Sequence, residues 1–516
     1  MKFFQSKYDY LILSLGLLVL SIVIFFPVSS DLATFIHGGM ILENGGKLFV
    51  DYFDVKPPFI YYFFEFLYSL FGKNITFYRL FDFIYQSLFL LSSIYILNRI
   101  NIDKRVTRLF VIIMPIAYVT LSFPHTFQVE SLLFLPLIWY FYLSNLSEKK
   151  LKYILLKGIL LGIAINLKYT FGIILIADIL YQIIQKKDFL RIVKESSVQF
   201  LVAITSTVFL FLPVLLSGNF SEFIDFFNYM KLYSNYPALN LIWVQDTIKF
   251  ATSFFTENYT LILLLSAIYT VYYIGKKNET SINNPTNKGV LLFALVLFSS
   301  VVIERKMLIY HEQRTYPFLV LLSSIGLFLI IEEIKKYKKL ILFLITFVAI
   351  FFSPIPRLVN ILKFPIGVFT MGQKAFYSTL TEGQEGHILD KHYKVADYIN
   401  SNSNTDRVLL INTGGNEMVC FFKFDYKYSF PQSAFYLNKK APEYLKSKAF
   451  ENIKDAEYII IQNNDNSHIM FFNDETSLTS IQKNLVIWDY IESHFEQVEL
   501  IENNFIIYKR TSIRIE

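Results

Sequence analysis

Long apolar runs recur between Tyr10 and Ser353 and predict a series of membrane-crossing helices. Each run approaches the length of about 20 residues that a helix needs to cross a hydrocarbon core of about 30 Å. The pattern predicts about eleven spans, at residues 10–28, 77–97, 106–123, 127–145, 152–166, 169–186, 197–217, 258–275, 289–304, 315–333 and 339–353. This predicts a polytopic α-helical membrane protein.

A further apolar segment, Pro57 to Gly72, is predicted not to cross the membrane. A helix from Pro58 to Phe71 would be about 21 Å long, and Glu65 would be costly at bilayer depth. If the segment does not cross, the basic loops all face the cytoplasm, as the positive-inside rule expects. These loops are 98–108, 147–153, 186–194, 276–288 and 335–339. We therefore predict a re-entrant or surface-lying helix, a cytoplasmic amino terminus and an outer carboxyl-terminal domain.

The pattern changes after about Glu385, where short strands and amphipathic helices replace the apolar runs. The alternation predicts a small α/β domain. Helices are predicted at 395–399, 415–424 and 487–495, and strands at 407–412, 458–462, 498–501 and 505–509. We predict two domains: a transmembrane domain over residues 1–384 with an outer loop at 29–76, and a soluble domain over 385–516.

The composition of the chain limits the kinds of covalent cross-link and metal site that it can contain. Hydrophobic residues make up 54% of the chain, and the formal net charge is +6. Cys420 is the single cysteine, which excludes an internal disulfide and a cysteine metal cluster. His37 and His125 have no metal-ligand spacing with other residues, so we assign no metal ligand.

The predicted outer face carries most of the candidate chemistry. Its first loop contains Asp31, Asp54 and Lys56, and loop 218–257 alternates polar residues with aromatics such as Tyr229. These aromatics suit interfacial helices, and an aromatic belt or a substrate groove fits them equally. Loop 305–314 departs from the charge rule, with Arg305, Lys306, His311 and Arg314 beside Glu304 and Glu312. An anionic ligand such as a phosphate would explain these bases, and a salt-bridged helix cap is the alternative.

Three groups of residues form a recognisable run: Asp31, the sequence Asp51-Tyr-Phe-Asp-Val-Lys-Pro-Pro58, and Phe71-Gly72 with Tyr78-Arg79-Leu80. The run resembles the amino-terminal region of bacterial C-type (GT-C) membrane glycosyltransferases, which include protein O-mannosyltransferases and the lipid A aminoarabinose transferase. Weaker similarities are Asn166-Leu-Lys168 and the stretch from Tyr310-His311 to Tyr316-Pro317. Members of this family transfer a sugar from a polyprenyl-phosphate carrier to an acceptor outside the membrane.

The resemblance implies roles for particular residues. Such a transfer needs a carboxylate that takes a proton from the acceptor hydroxyl, and cations that hold the departing phosphate. Asp31 is the expected base, although it would also suit a helix N-cap. Lys56, Lys168 and Arg314 are the expected phosphate ligands.

The remaining candidates are less sharply defined. Glu130 is the second expected catalytic residue, since the family often carries an acidic residue there. It would orient the acceptor or help to bind a divalent ion with Asp31, or else it is a buried, paired helix residue. Asp54, His311 and Tyr229 are expected to contact substrate.

We therefore predict a hexosyl or pentosyl glycosyltransferase of the bacterial inner membrane. Its partners would be a polyprenyl-phosphate-sugar donor, membrane lipid and a lipid, glycan or protein acceptor, with no role for nucleic acid. A requirement for Mg²⁺ or Mn²⁺ is left open. The alternatives are a carrier-lipid flippase or exporter and a polysaccharide polymerase. Internal repeats typical of transporters are not found, and loop 218–257 has no arginine of the kind expected in a polymerase.

Overall fold

The computed structural model describes most of the chain. The described residues are 6–146, 150–234, 244–245, 247–249, 252, 261–275, 284–305, 308–334, 355–380, 388–412, 416–428, 434–437, 440–465 and 476–511. Predicted span 339–353 and the Thr413-Gly-Gly sequence lie outside these residues, as do Lys306 and most of residues 235–260.

Helices dominate the described residues. In the first half of the chain they are α1 (Lys7–Leu20), α2 (Ser30–Glu43), α3 (Phe59–Phe71), α4 (Ile75–Arg99), α5 (Lys104–Val119), α6 (Val129–Leu132), α7 (Phe134–Asn145), α8 (Leu151–Leu167), α9 (Ile174–Ile184), α10 (Phe189–Leu216) and α11 (Phe220–Ser234). They continue with α12 (Leu261–Gly275), α13 (Pro285–Glu304), α14 (Tyr316–Ile334), α15 (Ile355–Ile361), α16 (Lys363–Met371), α17 (Gln373–Tyr377), α18 (Leu389–Asn402), α19 (Ala434–Leu437), α20 (Glu443–Asp455), α21 (Ser477–Gln482) and α22 (Leu485–His494). Short 3₁₀ helices occupy Ser21–Phe25, Tyr169–Ile173, Ile309–Thr315 and Asn416–Cys420.

The chain divides into two compact units. The first contains Met1–Phe26, Thr76–Phe211 and Pro237–Ile366, and the second contains Pro27–Ile75, Leu212–Tyr236 and Gly367–Glu516. The second unit thus takes in most of the predicted outer loop as well as the carboxyl-terminal part. The predicted domain boundary near residue 385 stays a prediction.

Five helical segments of the described chain are long and apolar enough to cross a membrane. They are Lys7–Phe25, Ile75–Arg99, Phe189–Leu216, Pro285–Glu304 and Tyr310–Glu333, and shorter apolar helices lie at Phe59–Phe71, Tyr169–Ile184 and Leu263–Gly275. A multi-pass helical protein is therefore supported, while the count of about eleven spans stays a prediction. The helix predicted after Pro57 is present as α3, and its re-entrant or surface-lying placement stays a prediction.

Helix α4 shows how the first unit is arranged. Arg79, Asp82 and Gln86 recur at helical spacing and are buried, whereas Ile84 and Leu88 are exposed. Side chains three or four residues apart share one face of a helix, so α4 turns a polar face inward and an apolar face outward. This inverted pattern suits a helix surrounded by lipid, where polar groups need protein partners.

The carboxyl-terminal part of the second unit is a four-stranded sheet with helices. Its strands are β1 (Val408–Ile411), β2 (Tyr458–Gln462), β3 (Phe495–Ile501) and β4 (Phe505–Arg510), in the order β1-β2-β4-β3. Strands β1 and β2 are parallel, and the other two pairs are antiparallel. The small α/β fold matches the prediction, while its solubility and outer location stay predictions.

One predicted helix is wrong. Residues 416–420 form a 3₁₀ helix, and the chain turns at residues 421–424 instead of continuing as an α-helix to Phe424. All five residues of the 3₁₀ helix are buried. The segment therefore has no exposed face of the kind that an amphipathic α-helix presents.

Candidate functional site

The first turn of α2 carries Asp31. Ser29 precedes the helix with extended backbone, and its hydroxyl accepts a hydrogen bond from the Leu32 amide at 3.4 Å. Ser29 is therefore the N-cap, and the alternative capping role for Asp31 is wrong. Asp31 is the second residue of α2, where the positive end of the helix dipole stabilises a carboxylate.

Asp31 forms an ion-pair group with Lys56 and Asp54. The Lys56 ammonium lies 3.5 Å from an oxygen of Asp31 and 3.5 Å from an oxygen of Asp54. It also lies 4.9 Å from the centre of the Phe35 ring. The side chain of Asp31 is 25% exposed, compared with 14% for Lys56 and 8% for Asp54. Asp31 is thus the carboxylate of this group that a substrate can reach most easily.

Two tyrosines fix the Asp54 side of the group. The Tyr61 hydroxyl donates to Asp54, whose other oxygen accepts the Val55 amide at 2.6 Å. The Tyr52 hydroxyl donates to the Thr34 carbonyl of α2 at 2.7 Å. Burial and the neighbouring Asp54 charge raise the pKa of both phenols well above their ordinary value. Both tyrosines therefore remain protonated donors at neutral pH.

Tyr229 belongs to the aromatic packing of the second unit. It lies on α11, is 5% exposed, and its ring centre is 6.5 Å from that of Phe226. Phe226 in turn packs against Phe49 and Phe53. These contacts support the segment that leads to Asp54, and a direct substrate contact by Tyr229 stays a prediction.

A second group of charges lies within the first unit and contains four of the predicted site residues. Glu130 lies on the short helix α6, and Lys168 directly follows α8. His311 and Arg314 lie on the 3₁₀ helix Ile309–Thr315. Glu304, the last residue of α13, joins them. We call these five residues the Glu130 cluster.

The two carboxylates of the Glu130 cluster share their bases. The Lys168 ammonium is 2.7 Å from Glu130 and 2.8 Å from Glu304. Arg314 donates to Glu130 at 3.0 Å and to Glu304 at 2.6 and 3.0 Å. His311 lies 3.1 Å from Glu304 and 4.0 Å from Glu130. With a neutral histidine, two negative charges face two positive ones.

Burial separates the two cations of the cluster. The Arg314 side chain is completely buried, donates to Ser300 at 2.9 Å, and its guanidinium lies 4.9 Å from the Phe171 ring centre. The Lys168 side chain is 20% exposed. The alternative of a salt-bridged cap therefore describes Arg314 well. Lys168 is the cation that an outside anion can reach.

Polar contacts hold the loop before Glu130. Arg79 donates to the Thr126 hydroxyl at 3.0 Å and to the Phe123 carbonyl at 3.2 Å. The Tyr118 hydroxyl donates to Asp82 at 2.8 Å and accepts the Phe127 amide at 2.9 Å. Phe127 has a φ of 60°. This backbone conformation is costly for a bulky residue and persists only where the surrounding contacts impose it. Sequence patterns do not predict this network, because Arg79 and Asp82 are 47 and 36 residues away from Thr126 and Tyr118.

The two groups of charged residues were also compared with the ligand set that a divalent metal ion needs. Among the residues that the structure describes, no group of three His, Cys, Asp or Glu side chains is arranged to hold a metal ion. In both groups the carboxylates are bridged by lysine or arginine, whose positive charge opposes a cation. We derive no step of a reaction through Mg²⁺ or Mn²⁺.

The chain is similar to one known protein family and to several solved structures. Residues 55–216 match the family described as dolichyl-phosphate-mannose-protein mannosyltransferase. The fold is similar to that of ArnT from Cupriavidus metallidurans, whose crystal structure is bound to undecaprenyl phosphate. That similarity has a TM-score of 0.57 and 11% identity, and it covers 99% of each chain. The resemblance to C-type membrane glycosyltransferases is confirmed.

A second solved structure is less similar to this chain. The oligosaccharyltransferase of Archaeoglobus fulgidus, crystallised with Zn and sulfate, is 12% identical with a TM-score of 0.49, covering 87% of this chain and 68% of its own. No curated protein matches the sequence. The matched family region contains Lys56, Glu130 and Lys168, while Asp31 and Arg314 lie outside it.

Proposed function

We propose that the protein is a glycosyltransferase that moves a hexosyl or pentosyl group from a polyprenyl-phosphate donor to a lipid, glycan or protein acceptor. The transfer takes place at the outer face of a bacterial inner membrane. The match to the mannosyltransferase family and the ArnT-like fold support the general reaction. The observation that carries the proposal is Asp31, a part-exposed carboxylate held by Lys56 at the start of α2.

The reaction is a single displacement with inversion at the anomeric carbon, as the family resemblance implies. Asp31 takes the proton of the acceptor hydroxyl while that oxygen forms the new bond to the anomeric carbon. The bond between the anomeric carbon and the phosphate oxygen breaks, and the electron pair leaves with the carrier phosphate. Lys56 holds Asp31 in place through their ion pair, since it is itself fixed by Asp54 and by the Phe35 ring.

The leaving phosphate gains negative charge and needs cations to stabilise it. We propose that Lys168 makes the direct contact, because its side chain is the exposed cation of the Glu130 cluster. Arg314 acts through Glu130 and Glu304, which it holds in position. Lys56 is a second phosphate ligand, and Asp54, His311 and Tyr229 contact the sugar or the acceptor. Glu130 orients the acceptor or supports Lys168.

The experiment compares wild type with Asp31→Asn in proteoliposomes. The donors are undecaprenyl phosphates carrying mannose, glucose, galactose or 4-amino-4-deoxyarabinose, and bacterial membrane extract supplies acceptors. Released undecaprenyl phosphate is measured by mass spectrometry. We expect Asp31→Asn to lower release by about 100-fold or more, because the substitution removes the general base.

Asp397→Asn is the matched control. It removes a carboxylate from the same unit, where Asp397 pairs with Lys374 at 2.7 Å and both side chains are more than half exposed. We expect this variant to behave like wild type. Full turnover by Asp31→Asn would remove Asp31 as the base, and no release by wild type from any donor would refute the proposed function.

A further inference from the structure

The carboxyl-terminal part of the chain contacts α2 through a buried hydrogen bond. Asn416 begins the 3₁₀ helix Asn416–Cys420, and its side-chain amide donates to the Thr34 hydroxyl at 2.9 Å. Asn416 is completely buried and Thr34 is 3% exposed. The two residues are separated by 382 positions in sequence, so this contact depends entirely on the tertiary fold of the second unit.

Thr34 links three parts of that unit. Its hydroxyl donates to the Ser30 carbonyl at 2.9 Å, and its own carbonyl accepts the Tyr52 hydroxyl at 2.7 Å. Thr34 lies three residues after Asp31, so the two side chains are neighbours on the surface of α2. Tyr52 lies two residues before Asp54. Thr34 therefore connects Asn416, through its hydroxyl, and Tyr52, through its backbone carbonyl, with the helix turn that carries Asp31.

The chemistry of Asn416 argues against a role in packing alone. Among the described residues its amide oxygen, also buried, has no hydrogen-bond partner. A buried polar atom without a partner costs roughly 1–3 kcal/mol, so an apolar residue would serve packing better. Packing alone therefore does not account for an asparagine at this position, whereas its hydrogen bond to Thr34 does.

Further contacts fasten the same segments at several points. The Tyr68 hydroxyl donates to Asp425 at 2.7 Å, and Lys73 donates to the Phe422 carbonyl at 2.8 Å. Lys448 pairs with Asp51 at 3.3 Å. Within the second unit, the carboxyl-terminal part therefore holds α2, α3 and the segment between them.

We propose that Asn416 is a positioning residue for Asp31. Through Thr34 it fixes the first turn of α2 relative to the Tyr52–Lys56 segment, so that the Asp31 carboxylate meets the acceptor hydroxyl in a reactive geometry. The carboxyl-terminal domain is then part of the catalytic apparatus. This inference rests on the proposed glycosyltransferase function.

The test uses the full-length protein in the release assay, with the same four undecaprenyl-phosphate sugars. Thr34→Val keeps the shape of the side chain but removes the hydroxyl, whereas Thr34→Ser keeps the hydroxyl. We expect Thr34→Val and Asn416→Ala to lower kcat per folded molecule about 10-fold or more, because small displacements of reacting groups are costly. The KM for the donor should stay within about twofold of wild type, and Thr34→Ser should retain most of the kcat.

Asn402→Ala is the matched control. The Asn402 side chain bonds only the Tyr398 carbonyl of its own helix in the described contacts and is exposed. Folded protein is quantified by gel filtration before each assay. A kcat per folded molecule that Asn416→Ala and Thr34→Val leave unchanged would overturn the inference while leaving the proposed function intact. A wild type without any activity would overturn the proposed function, and this inference with it.

Discussion

Arg314 is predicted to be the most important single side chain for the stability of the Glu130 cluster. It is completely buried and donates to Glu130, Glu304 and Ser300. Arg314→Ala would leave two carboxylates with Lys168 as their one permanently charged partner among the described contacts. Removing one member of a buried ion pair costs about 3–5 kcal/mol, because the remaining charge is buried without compensation.

Arg105 provides the comparison. It pairs with Asp103 at 3.0 Å and with Glu332 at 3.1 Å, but its side chain is 52% exposed. Exposed ion pairs contribute about 0–1 kcal/mol, because water and salt screen both charges. Arg105→Ala should therefore destabilise the same unit much less than Arg314→Ala, although each substitution removes one guanidinium with two carboxylate partners.

The assay is reversible denaturant unfolding of the purified full-length protein in detergent micelles, followed by tryptophan fluorescence and circular dichroism. A cycle of the single variants Arg314→Met and Glu304→Gln with the double variant Arg314→Met/Glu304→Gln isolates the interaction. We expect the double variant to be less destabilised than the sum of its single variants, since it restores the balance of charge. Equal losses from Arg314→Ala and Arg105→Ala, or strict additivity in the cycle, would refute the reasoning.

Two further predictions concern the second unit. Gly39→Ala should destabilise the protein by about 1–3 kcal/mol, because an added Cβ would lie 2.5 Å from the Phe64 backbone. Gly275→Ala, a control in the first unit, meets nothing within 4 Å among the described residues and should be neutral in a thermal melt. Burial would raise the pKa of Asp425, but hydrogen bonds from Tyr68 and Asn44 and the charge of Lys73 bring it below its ordinary value. Its stabilisation is therefore present above the unfolded pKa of about 3.9 and is lost as the pH falls through the lower folded value. The stability difference between wild type and Asp425→Asn should accordingly be constant from pH 6 to 8 and shrink below about pH 4; a difference that grows with acid would contradict the assignment.

Local patterns predicted much of the fold. The strand at Tyr458–Gln462 is observed with the predicted bounds, because all five residues are buried and the first four form an unbroken apolar run. The segment 127–145 reads as one continuous span, yet the chain forms α6 and α7, which meet at Leu133. Hydropathy averaged over a window does not register such an interruption. Pro136 is its signal in the sequence, because a proline cannot donate the backbone hydrogen bond to Leu132 that a continuous helix requires.

The candidate site was predictable where its members are close in sequence. Asp54 and Lys56 lie in one loop shortly after Asp31, so their meeting needs only a chain reversal. Glu304 was missed as a site residue because Lys168, with which it forms an ion pair, is distant along the chain. The excess of basic residues in loop 305–314 could have indicated Glu304, since buried cations need anionic partners. Asn416 carried no signal, because a single asparagine has no periodic pattern.

Lys168 and Arg314 were both predicted to bind phosphate. Their different burial and pairing within the Glu130 cluster separate their roles. Arg314 is buried and shared between both carboxylates, so a phosphate could reach it only by displacing Glu130 or Glu304. Lys168 has an exposed fraction and a flexible stem with three donors, so it can keep one carboxylate and still contact an outside anion. If Arg314 lost its carboxylates, the first unit would bury an uncompensated charge. These differences are the reason we propose Lys168 as the ligand of the donor phosphate and Arg314 as the residue that holds the carboxylates next to Lys168.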